Sequence, residues 1–106
     1  MHLLIENNVL YVDNHLYCHA GAGNGRPHIP AGRYAVAIEY AHVHGETLLD
    51  AIGCGWIGAS PECDIVLGGV RNRDGVIPSK TAFGRVMHRV EVAIEQDGKD
   101  VLLEVR

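Results

Sequence analysis

Short apolar runs with a period of two, each closed by a turn dipeptide, constrain this chain more than any other feature. Leu3 to Glu6, Val9 to Val12 and Leu16 to Ala20 are separated by Asn7-Asn8 and Asp13-Asn14. Asparagine and aspartate tolerate the left-handed backbone of tight hairpin turns, so these segments predict a small antiparallel meander. A longer strand follows from Arg33 to Tyr40, with Tyr34, Val36, Ile38 and Tyr40 on one face opposite Ala35, Ala37 and Glu39. At the end of the chain Val90, Val92 and Ile94 alternate with Glu91, Ala93 and Glu95. Asp97-Gly98 then predicts a turn, and Val101, Leu103 and Val105 alternate on the return. The expectation is a mainly β domain, a small antiparallel sandwich or barrel, with one C-terminal helix and a closing β-hairpin.

Between these strands the signals are weaker. Residues 21–32 carry four glycines and two prolines with no period, which predicts a surface loop. Thr47 to Ile52 has Leu48, Leu49 and Ile52 at helical spacing, consistent with one helical turn. Asp64-Ile65-Val66-Leu67 reads as a buried strand ending at Gly68-Gly69. Residues 71–75 read as polar loop, and Ser79 as the N-cap of a helix placing Phe83, Val86 and Met87 inward. A chain of 106 residues with no repeat or linker is expected to form one domain.

Nine basic against thirteen acidic residues give a net charge of -4, without the positive field that nucleic-acid binding uses. No apolar run reaches the length of a membrane helix, and the first residues lack the basic start of a signal peptide, so a soluble, cytoplasmically made protein is expected. Cys18, Cys54 and Cys63 are odd in number and unpaired in spacing, which leaves at least one free thiol.

The chemistry-bearing candidate is Cys63, in the loop Ser60-Pro61-Glu62-Cys63. A thiol becomes a good nucleophile when a base or a positive field favours the thiolate, and His44 is the first candidate for that base. Glu62 acts in the opposite sense, because a neighbouring carboxylate raises a thiol pKa. The alternative for Cys63 is a small buried apolar residue at a strand entrance. Seven histidines raise a metal question. His42 and His44 share a strand face with Glu46 close behind, the one weak ligand set; no metal or cofactor is otherwise expected.

Several of these pieces together resemble the L,D-transpeptidase-like (YkuD-type) proteins, and especially small phage and bacterial proteins related to them. The resemblance rests on Pro30-Ala31-Gly32-Arg33-Tyr34, on the His44-Gly45 pair, on Ala59-Ser60-Pro61-Glu62-Cys63 before the strand, and on the serine-led helix from Ser79. Pro61 and Glu62 stand where the enzymes have His and Gly. What the resemblance implies is a peptidoglycan-directed acyl transfer or amide hydrolysis. Cys63 would form a thioester, His44 would take its proton, and Ser60, in the same loop, would be the third catalytic residue. The altered loop supports a second expectation, a non-enzymatic phage structural or accessory module that binds another protein. A small metal protein using His42 and His44 is the third.

Overall fold

The computed structural model describes residues 1–23, 25–42, 46–73 and 75–106, with backbone alone at 41 and 42. Among the described residues there are nine strands: β1 (His2–Glu6), β2 (Val9–Val12), β3 (His15–Ala22), β4 (Gly32–His42), β5 (Glu46–Ala51), β6 (Gly55–Gly58), β7 (Ile65–Asn72), β8 (Gly75–Pro78) and β9 (Leu102–Val105). One helix, α1 (Lys80–Glu91), runs on into a π-helical turn, Val92–Gln96. The chain is mainly β, as expected.

The strands form one sheet in the order β3-β2-β1-β9-β4-β5-β6-β7-β8, and β3 also pairs with β7. That extra pairing closes β1 to β7 and β9 into a ring, and closure removes the exposed edges an open sheet would leave. The meander β1-β2-β3 forms as the turn residues predict. Asn7, Asn8, Asp13 and Asn14 all have positive φ, between 47° and 69°, as primed hairpin turns require. Leu3, Ile5, Leu10, Val12 and Ala20 then point into the ring. Along β4 the expected inward face holds for Val36, with Tyr34 and Ile38 packed against the core, while Tyr40 is exposed.

The sheet is mixed rather than antiparallel. β9 lies parallel to β1 and antiparallel to β4, and β6 is parallel to β7. Residues 46–51 form β5, not a helical turn, because β4 on one side and β6 on the other satisfy its backbone. Residues 71 and 72 belong to β7, which runs through the two glycines and pairs with β8.

The expected C-terminal hairpin does not form. Residues 90–96 are helical, and β9 pairs with β1 and β4 instead. Val90, Val92 and Ile94 do alternate, but the buried set is Ala82, Val86, Met87, Val90 and Ala93, which lies on one helical face. Asp97-Gly98 ends the helix rather than turning a hairpin. Gly98 takes φ 61° and the Lys99 N–H donates back to the Ala93 carbonyl at 2.8 Å, a left-handed helix stop. At the other end Ser79 caps as expected, its Oγ accepting from the Ala82 N–H at 3.1 Å. The helix packs against β3 and β7, and its apolar face joins the core of the ring. No helix among the described residues is long and apolar enough to cross a membrane.

Candidate functional site

Parallel neighbours such as β6 and β7 are normally joined by a dozen or more residues, because the chain must return to the starting end of the sheet. Here residues 59–64 alone make the return, so the loop folds tightly on itself. The Cys63 N–H donates to the Ser60 carbonyl at 3.0 Å, and the Glu62 N–H donates to the Ser60 Oγ at 3.3 Å. The fold therefore brings Ser60 and Cys63 together, in the wall of a cleft of about 460 Å³. Trp56, Glu62, Glu46 and Lys80 line the same cleft, with the Lys80 ammonium 3.9 Å from the Glu46 carboxylate.

Cys63 is only 5% exposed. Its sulfur lies so close to β6 that a Cβ at Gly58 would stand 2.7 Å from it. Burial pushes the thiol pKa up. A backbone contact from Ser60 opposes this, while Asp64, Glu46 and Glu62 push it further up. Burial, with these carboxylates adding to it, favours the protonated thiol, which is the reverse of nucleophile activation. His44, the expected base, lies outside the described residues. Of His42 the strand position alone is described, opposite Glu46 in the β4-β5 ladder. Among the described residues no group of three or more His, Cys, Asp or Glu side chains is placed to hold a metal ion.

The residue after Cys63 does more structural work than sequence reasoning assigns to it. The Asp64 carboxylate accepts from Arg26 Nε at 3.0 Å and from the Trp56 N–H at 2.8 Å. Arg26 also donates to the Cys54 carbonyl at 2.7 Å, and the Gly23 N–H donates to the Asp64 carbonyl at 3.0 Å. Residues 21 and 22 belong to β3 and residue 32 to β4 rather than to a loop, and these bonds strap Gly23 and Arg26, between the two strands, across the start of β7. Cys54, beneath the strap, has its thiol pKa raised by burial, against a lowering by Arg26. No sequence signal joins Arg26 to Asp64. The glycines flanking Cys54 are the one hint of a close approach there.

No protein-family model, curated protein or solved structure matches this chain. Its functional reading therefore rests on the ring, the cleft and the chemistry of the groups that line it.

Proposed function

We propose that this protein is a non-catalytic binding module whose ligand enters the Cys63 cleft, the ligand being a peptide that carries an amine. The observation that supports this most directly is the setting of Cys63, buried in the wall of a cleft that Glu46 and Glu62 also line. Those carboxylates oppose a thiolate and favour a cation. The Trp56 indole offers an apolar, electron-rich surface suited to the methylene stem and ammonium of such a ligand. A lysine side chain of a protein and the amine of a peptidoglycan stem peptide share this chemistry.

The acyl-transfer reading, with Cys63 attacking a peptidoglycan amide and His44 as base, draws support from one feature, the shared cleft of Cys63 and Ser60. It requires a thiolate near neutral pH. The two readings separate in one experiment, iodoacetamide labelling of Cys63 in the folded protein, followed by peptide mass spectrometry across pH. The thiol pKa is raised from 9.0, so the labelling rate is expected to stay low at neutral pH and still be rising above pH 9. Replacing Glu46 and Glu62 together by glutamine removes two of the charges that raise it and is expected to move the profile to lower pH. Acetyl-Ala-Lys-Ala-amide should slow labelling, and its norleucine counterpart should not. A rate already at its plateau by pH 7 would sink the binding-module reading in favour of the enzyme. Equal protection by both peptides would remove the amine from the proposed ligand.

A further inference from the structure

Strand β4 is eleven residues long, and its two neighbours cover different stretches of it. β9 pairs with Gly32 to Ala35, and β5 pairs with Val36 to Glu39 and with His42. In an antiparallel ladder the N–H and C=O of one residue address one neighbour, and those of the next residue address the other. The Val36 N–H donates to the Val101 carbonyl at 3.0 Å, so residues 32, 34 and 36 face the β9 side. The Ile52 N–H donates to the Ala35 carbonyl at 2.9 Å, so the odd residues face β5. By the same alternation the N–H and C=O of Ile38 face the β9 side, beyond the point where β9 begins at Leu102. Together with the Val36 C=O they meet no strand among the described residues. A register shift after Glu39 ends the series.

A groove of about 670 Å³ runs along this edge, between β4 and the segment that leads from the helix end to β9. Its lining is mostly apolar, with Ile38 and Ile94 half-buried and Leu102 39% exposed. The Tyr40 hydroxyl donates across it to the Glu95 carboxylate.

We infer that the open edge of β4 at Val36 and Ile38 receives an extended peptide segment of another protein, which adds there as a strand and places an apolar side chain against Ile38 and Ile94. The unmet groups are one main-chain N–H and two C=O on one side of the strand, and another main chain satisfies such a set. The groove also sorts the forms in which that main chain arrives. Its far wall is the segment 94–101, so a strand that keeps a neighbour on its other edge, as β4 of a second copy does, meets that wall. A tail or a loop with both edges free avoids that wall and enters by displacing the Tyr40 bond to Glu95. This surface shares no lining residue with the Cys63 cleft, so it stands or falls apart from the function proposed above.

The experiment uses the whole chain, amide hydrogen exchange by NMR, and a display library of random peptides of roughly eight residues. In the free protein the Ile38 amide is expected to exchange about 100-fold faster than those of Ala37 and Glu39, which face β5. A selected peptide, made synthetically, should slow the Ile38 amide about tenfold or more at saturation. N-methylation of that peptide on alternate residues should abolish binding in one of its two phases and spare it in the other, as a one-edged ladder demands. Four results would each overturn the inference: an Ile38 amide as protected as Ala37 in the free protein, selected peptides that leave it unchanged, a library from which nothing is selected, or protection of Ile38 that rises with protein concentration alone, the sign of a second copy.

Discussion

Leu103→Ala is expected to destabilise the protein by about 3 kcal/mol, the middle of the range for truncating a fully buried leucine. Leu103 is fully buried, and β9 stands between β1 and β4, opposite Leu3 on one side and Tyr34 on the other. A cavity there is lined by two strands and cannot close without moving one of them. At about 4–8 °C per kcal/mol for a domain of this size, the melting midpoint should fall by about 12–24 °C. Leu102→Ala, one position along and 39% exposed, should stay within about 0.5 kcal/mol. Paired thermal melts of the two variants check the alternation, and equal losses would mean that β9 does not hold this register.

Gly23→Ala should be nearly as costly, for a different reason. A Cβ at Gly23 would overlap the carbonyl of Cys63 and stand 3.0 Å from that of Pro61, and both obstacles are backbone. No side chain can rotate away, so the strap itself must lift from the loop of residues 59–64. Overpacking of this kind costs about 1–3 kcal/mol. Lifting the strap also breaks the Gly23 bond to the Asp64 carbonyl and slackens the Arg26 pair with the Asp64 carboxylate. Asp64→Asn, which weakens that pair, should therefore cost less in the Gly23→Ala background than in the parent protein. Urea denaturation of the two single variants and the double measures the coupling. Fully additive losses would show that strap and carboxylate act independently.

Much of the fold follows from local chemistry that the sequence displays. The meander is legible because its turns need left-handed residues and Asn7, Asn8, Asp13 and Asn14 supply them. The Ser79 cap is legible because the serine hydroxyl meets an N–H three residues on. The C-terminal hairpin misleads because residues 90–94 fit two periods at once, and the choice falls to α1, whose earlier turns already bury Ala82 and Val86 against β3 and β7. Closure of the ring is not legible, since nothing in residues 19–22 announces residues 65–68 as partners. At the candidate site, the loop of Ser60 and Cys63 is visible from its residues. The acid surroundings of the thiol are only partly so. Glu62 and Asp64 adjoin Cys63 in the chain, whereas Glu46 arrives from another strand. Arg26, which decides what Asp64 does, is 38 residues away.

The parallel pairing of β1 with β9 has a mechanical consequence. The ladder spans from the Leu102 N–H on the Met1 carbonyl to the Arg106 N–H on the Ile5 carbonyl, 3.1 and 3.0 Å long. Tension applied between residues 1 and 106 pulls these two strands along their own length in opposite directions. Every rung is then loaded at once, in shear, and none can peel before the others. Tension between residues 6 and 9, across the β1-β2 hairpin, would open rungs one at a time. The molecule should thus resist stretching along one direction far more than along another, and its strong axis runs through β9.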